Sequence, residues 1–199
     1  NNWGQLKECL SSLVPHPNFE IIVVDNGSTP DFWESLSIYH AEQKHFYERF
    51  LIVQLFENQG VPGGFNVGLR IAKGEWLAIL ASDCVSTNPT FPHNMVRLNE
   101  KVMTGAKLLH NPGGLNCSYF DGWHYAFPRS LVEEIGYLDP FYQYTFEDPD
   151  YCLAAQRAGY TLLEVPDCGI INKGKEPRWA DISKYYNRNI QYFREKFNL

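Results

Sequence analysis

The chain has 199 residues and a net charge of −6, room for one sizeable domain or two small ones. Hydrophobic residues make up 44% and charged residues 20%, ordinary globular usage that excludes wholesale disorder. Basic residues are scattered, which disfavours a nucleic-acid-binding face, and no apolar run approaches the roughly 20 residues of a membrane span. The five cysteines are widely spaced, odd in number and without a C-x-x-C pair, a pattern that fits reduced cytosolic thiols.

In chain order, Leu6, Leu10 and Leu13 predict a short helix over Trp3–Leu13, ended by Pro15 and Pro17. Phe19–Val24 is a β-branched run of the kind found in buried parallel strands, closed by the turn residues Asp25-Asn26-Gly27-Ser28. A helix capped by Asp31 runs to about Lys44, and a second strand spans Phe50–Phe56. The glycine-rich turn Gln59–Gly64 leads into a helix through Ala72. A third strand over Glu75–Leu80 precedes Ala81-Ser82-Asp83. Pro89 and Pro92 frame a helix to about Met103. Strands over Ala106–His110 and Tyr119–Phe127 surround a turn, and a short helix over Ser130–Ile135 comes next. Asp148 caps a helix with Pro149 at its first position, Gly159 ends it, and Thr161–Val165 is a strand. Trp179–Phe197 is a long terminal helix with apolar or aromatic residues at 182, 185, 186, 190, 193 and 197. This alternation predicts an α/β domain, and in such sheets ligands bind beyond the carboxyl ends of the strands.

Three features lie at those ends. Asp25 can accept hydrogen bonds from a ribose diol or a base, and also suits an ordinary turn. Asn58–Gly68 is glycine-dense at a helix start, where backbone N–H groups can face a phosphate or the glycines can let helix and sheet pack closely. Its glycines fall at 60, 63, 64 and 68, so the dinucleotide pattern G-x-G-x-x-G is absent, which disfavours a nucleotide-cofactor oxidoreductase. Asp83 can bind a divalent cation that takes its other oxygens from phosphates and water, or can simply make a turn. Further on, Glu147-Asp148-Pro149-Asp150 packs three carboxylates into four residues, one of which can act as a general base; helix capping is the competing reading. Asn172-Lys173-Gly174-Lys175 with Arg178 is the one local basic group of the second half and could neutralise a diphosphate.

In this order the motifs resemble the family 2 glycosyltransferases of the GT-A fold. Ile21–Thr29 (IIVVDNGST) is similar to the family's second strand and its nucleotide-contacting Asp, Asn58–Gly68 to its N-x-G…N-x-G segment, and Leu77–Asp83 to the strand carrying its D-x-D motif. Gly136–Gly159, with Glu147-Asp148 and Asp150, resembles its acceptor-side block. The flavour is closest to the rhamnosyltransferase-like branch, whose members build bacterial surface polysaccharides. The resemblance implies a single GT-A (Rossmann-like) α/β domain with a mixed, mainly parallel sheet flanked by helices. Residues 1–90 would form its nucleotide-sugar-binding half, and residues 91–199 its acceptor-side half and C-terminal helix.

It further implies an inverting transfer from a UDP- or dTDP-linked sugar to a glycan or lipid-linked acceptor. Asp148 would be the base with Glu147 beside it. Asp25, Asn26, Asn58, Gly60, Gly64, Asn66, Ser82, Asp83 and Lys173 would bind the donor. Asp83 would also hold Mg²⁺ or Mn²⁺, and Asp121, Trp123 and Tyr125 would meet the acceptor, in an aromatic setting shared with Phe141, Tyr142 and Tyr144. It places the protein in the cytoplasm, at the inner face of the membrane, with no span of its own and no nucleic-acid partner.

Three departures stand out. Ala81 replaces the first Asp of D-x-D, Asn172 is the nearest match to a His ligand that the family carries before its terminal helices, and the family's first strand would precede Asn1. They predict an unpaired or substituted position in the sheet and a donor pocket open on that side. They also keep alive a non-catalytic or incomplete module that binds nucleotide sugar or glycan.

Overall fold

The computed structural model describes residues 2–97, 101–174 and 179–199. Helix α1 (Trp3–Ser12) starts where the Asn2 side chain accepts a hydrogen bond from the Gln5 N–H, and it buries Leu6, Cys9 and Leu10. Strand β1 (Glu20–Asn26), helix α2 (Pro30–Gln43) and strand β2 (Arg49–Leu55) come next, and β1 and β2 pair in parallel from Glu20↔Arg49 to Asn26↔Leu55. Thr29, not Asp31, holds the cap position of α2, because Pro30 takes the first helical position and leaves Asp31 in the first turn.

Helix α3 (Gly60–Ile71) absorbs the glycine-rich segment, which is its first two turns rather than a preceding loop. A Cβ on Gly64 would stand 3.0 Å from the Asn26 side-chain amide nitrogen, so this glycine lets α3 lie close on β1, whereas one on Gly68 would make only ordinary contact with Val24.

Strand β3 (Trp76–Leu80) leads through the turn Ala81–Asp83 into β4 (Cys84–Ser86). Helix α4 (Phe91–Met95) is five residues long, not the helix to Met103 that the prolines predict. Val102–Gly105 is instead strand β5, with all four residues buried in the middle of a sheet. The span Tyr119–Phe127 is likewise not one strand. It splits at Asp121–Trp123 into β7 (Ser118–Phe120), which pairs with β6 (Leu108–His110), and β8 (His124–Pro128).

Helix α5 (Arg129–Ile135), helix α6 (Glu147–Arg157), β9 (Thr161–Glu164), β10 (Ile170–Asn172) and α7 (Trp179–Phe197) complete the chain. The main sheet has the order β3–β8–β5–β9, with β8 antiparallel to both neighbours and β5 parallel to β9. Among the described residues the main sheet is mixed but not mainly parallel, and the three strands of the first half do not join in one sheet. Among the described residues β1 pairs only with β2, and β3 only with β8.

The largest core cluster joins α3, the sheet, α5 and α6 through Leu69, Leu77, Ile79, Met103, Phe120, Phe127, Leu131 and Tyr151. A second cluster seats α7 through Phe193 and Phe197 on Phe146 and Tyr142. Among the described residues no helix is long and apolar enough to cross a membrane.

Packing at Gly105 is tight enough to test. A Cβ there would fall 2.2 Å from the buried Phe120 ring. Gly105→Ala is expected to lower stability by about 1–3 kcal/mol, the usual cost of overpacking a core, measured by urea unfolding.

Candidate active site

The pairing of β3 with β8 sets Leu80 opposite His124. The turn after β3 and the segment before β8 therefore lie side by side, and the Ala81 N–H donates to the Trp123 carbonyl at 2.8 Å. Antiparallel pairing of β4 with β10, Cys84 opposite Asn172, then carries the basic loop to the same place. The Lys173 N–H donates to the Asp83 carbonyl at 2.9 Å, and the Asn172 side-chain oxygen accepts from the Gly174 N–H. A Cβ on Gly174 would stand 2.0 Å from Asp83 Oδ2, so only glycine lets the loop lie against that carboxylate. The Lys173 ammonium pairs with Glu8 of α1, a residue that sequence reading did not single out because its partner lies 165 residues away. Lys175 and Arg178 lie outside the described residues.

Asp25 is 3% exposed, near the end of β1. Its Oδ1 accepts from the Ser28 N–H at 3.1 Å, and its Oδ2 has no partner. An unpartnered buried carboxylate oxygen calls for an outside donor.

Other residues expected to bind the donor are engaged by the protein itself. Asn26 accepts from the Gln59 N–H at 2.9 Å and donates to the Gly60 carbonyl at 2.7 Å, joining β1 to α3. Asn58 accepts from the Gly60 N–H, and the Val61 N–H donates to the Gln143 carbonyl, so the start of α3 is closed by protein groups rather than open to a phosphate. Asn66, buried, donates to the Leu138 carbonyl at 2.8 Å and accepts from the Leu138 N–H at 3.0 Å. Ser82 is exposed in the turn beside Asp83.

On the other side, Asp148 lies against the same pre-β8 segment. A Cβ on Gly122 would stand 3.0 Å from Asp148 Oδ2, so the carboxylate lies against this glycine. Asp148 is not the helix cap. Phe146 holds that position in a left-handed conformation, which places Glu147 and Asp148 in the first turn of α6. Burial, and after it the adjacent Glu147 charge, raises the Asp148 carboxyl well above the usual carboxylate range. Burial raises Glu147 too, and its Oε2 has no hydrogen-bond partner.

Asp121 pairs with Lys107 at 3.5 Å, and Trp123 is partly buried beside the Asp83 turn. Tyr125 does not face a cleft. It is 1% exposed, packed between Phe120 and Phe127, because β8 runs through the core. Tyr142 is also a core residue, and Phe141 stacks on Tyr192.

Asp83 contributes one hard oxygen donor group of the type Mg²⁺ and Mn²⁺ prefer, and one carboxylate suffices where a diphosphate and water supply the remaining ligands. Burial, and after it the Asp83 charge, push the nearby Cys9 thiol up to about 12. Among the described residues no three His, Cys, Asp or Glu side chains converge on one point.

A mixed sheet, a carboxylate turn after the third strand of the chain and a carboxylate pair in the first turn of a late helix fit the GT-A class. The model of the glycosyl transferase family 2 matches residues 1–136, and the chain belongs to that family. It is 36% identical over 88 residues to a poly(ribitol-phosphate) beta-glucosyltransferase of Bacillus spizizenii, an alignment covering 42% of this chain and 13% of that protein. A mannosyltransferase of Pyrobaculum calidifontis, solved with GDP-Man and Mn²⁺, superposes with a TM-score of 0.77 at 19% identity, over 98% of this chain and 61% of that one. GalNAc-T7, solved with UDP, GalNAc and Mn²⁺, superposes with a TM-score of 0.71 at 15% identity, over 100% and 53%.

Two of these contacts can be tested directly. Asn66→Ala would leave the buried Leu138 N–H and carbonyl without partners and is expected to cost about 2–4 kcal/mol, read by urea unfolding. Because the Glu147 carboxyl is raised in the folded state, stability falls as pH rises from the ordinary carboxylate range through the folded value. Glu147→Gln removes that loss, so it should raise Tm relative to wild type by a few degrees at pH 8 and not at pH 4, measured by calorimetry.

Proposed function

We propose that the protein is an inverting glycosyltransferase that moves a sugar from a nucleotide-diphosphate donor to an acceptor hydroxyl, in the synthesis of a surface polysaccharide or related glycan. The observation that carries this reading is the short segment Asp121–Trp123. Trp123 accepts from the turn of Asp83 on one side and Gly122 lies against Asp148 on the other, so the carboxylate read as the cation ligand and the one read as the base flank one short segment.

In this reading Asp25 Oδ2 takes the donor hydrogen bond of the nucleotide base or ribose. Lys173, set by Glu8, neutralises the diphosphate, and Asp83 with Ser82 faces it. Bound at Asp83, Mg²⁺ or Mn²⁺ would stabilise the negative charge of the departing diphosphate. Asp148 accepts the acceptor's proton as the acceptor oxygen bonds to the sugar C1 and the C1–oxygen bond to the diphosphate breaks. Burial, and after it the Glu147 charge, raises its affinity for protons and makes it a stronger base than an exposed carboxylate. Asp121 and Trp123 border the acceptor. Asn26, Asn58, Gly60, Gly64 and Asn66 serve the donor indirectly, by building the β1–α3 corner.

Thermal-shift measurements with UDP-glucose, GDP-mannose and a dTDP-hexose, with and without Mn²⁺, test the donor site. At least one donor should raise Tm in the presence of the metal, and Asp83→Ala should remove that rise. No shift with any donor would refute the reading. Asp148→Asn should lower turnover of the bound donor by about 10²-fold or more while leaving the thermal shift intact. The wild-type rate should rise with pH through an apparent pKa above the ordinary carboxylate value of about 4.

A further inference from the structure

The backbone entering α6 is costly for its sequence. Thr145 has φ 65° and Phe146 has φ 76°, two successive residues with side chains in the left-handed region, and Glu147-Asp148 come immediately after. Neither a β-branched nor an aromatic residue favours that region, so the surroundings must impose it.

Asn189 of α7 touches this turn directly. It is 0% exposed, and its Nδ2 donates to the Tyr144 carbonyl at 3.0 Å and to the Thr145 carbonyl at 2.9 Å. Its Oδ1 accepts from Arg188 Nε at 3.1 Å and Nη2 at 3.0 Å. Two donors and two acceptor sites are all a side-chain amide offers, and all four are used. Arg188 Nη2 also donates to the Phe141 carbonyl at 3.0 Å, and the guanidinium lies over the Phe141 ring at 4.6 Å. The Phe146 side chain is seated against Phe193 and Tyr186 of the same helix.

We propose that Asn189, oriented by Arg188, is a positioning residue for the Glu147–Asp148 pair: it locks the left-handed Thr145–Phe146 turn and thereby aims Asp148 at Gly122. The role for catalysis rests on the reading of Asp148 as the base; the locking of the turn does not.

The test compares Asn189→Ala, Asn189→Asp, Asn189→Ala/Thr145→Asn and Arg157→Ala. Asn189→Asp keeps the contact with Arg188 but loses both donors, and so serves if Asn189→Ala does not fold. Asn adopts the left-handed region more readily than Thr, so the Thr145→Asn change should relieve the need for the lock. Arg157 anchors the far end of α7 by donating to the Phe197 carbonyl at 2.6 Å, and it controls for simple loosening of the helix.

The first readout is hydrogen exchange at the amides of Glu147, Asp148 and Asp150, which should rise about tenfold or more in the Asn189 variants and not in Arg157→Ala. The second is hydrolysis of UDP-glucose or GDP-mannose, whichever binds. Its kcat should fall about tenfold or more, with KM within about twofold, because positioning acts on the reacting complex and not on donor binding. Thr145→Asn should restore most of the lost rate and protection. Unchanged exchange in a folded Asn189 variant, no rescue by Thr145→Asn, or an equal loss in Arg157→Ala would overturn the proposal. Failure of the base reading shows separately, as undiminished hydrolysis by Asp148→Asn, while hydrogen exchange still decides whether Asn189 locks the turn.

Discussion

The antiparallel pairing of β3 with β8 is the constraint on which the site depends. It puts the carboxyl end of one strand beside the amino end of the other, Leu80 opposite His124. The chain leaving β3 must then lie against the chain entering β8. The first of these carries the Asp83 turn, and the second is Asp121-Gly122-Trp123, which Asp148 also touches. Two carboxylates 65 positions apart thus share one short segment of backbone. The β4–β10 pairing sets Lys173 beside the Asp83 turn by the same logic.

Glycine makes the close approaches possible. At Gly122 a side chain would press on the Asp148 carboxylate, and at Gly174 one would collide with Asp83. Backbone thus lies directly against each carboxylate. For Asp148 burial, and after it the Glu147 charge, disfavours the charged form and makes a stronger base. That burial also has a cost in stability at high pH, which links the proposed chemistry to the fold's own pH dependence.

Much of the fold was legible because local chemistry and fold agree. The leucine spacing in α1, the β-branched run in β1 and the proline-to-glycine frame of α6 each specify their element without help from distant contacts. The readings that failed did so where a distant contact decided. Val102–Gly105 carries no strong strand pattern of its own, and it is a strand because β8 and β9 flank it. Tyr125 reads as an aromatic beside a candidate site, yet strand alternation and the packing of Phe120 and Phe127 turn it into the core. Asn189 did leave a trace, a polar residue among the apolar positions 186, 190 and 193 of α7, but nothing in the chain says which carbonyls it meets.

By itself the sequence determined the alternation of elements through β3, the order of the motifs and so the family, because these depend on residues adjacent in the chain. It also named the carboxylates that carry the proposed chemistry, Asp25, Asp83 and Asp148. Only the tertiary structure decided which neighbours each one has. It left Asp25 Oδ2 unpartnered, closed the start of α3 with Asn26, Asn58 and Gln143, and brought Lys173 to Asp83 and Gly122 to Asp148. The reason is physical: a side chain's charge state and reach are set by what surrounds it, and in this fold those surroundings come from strands and loops far away in the chain.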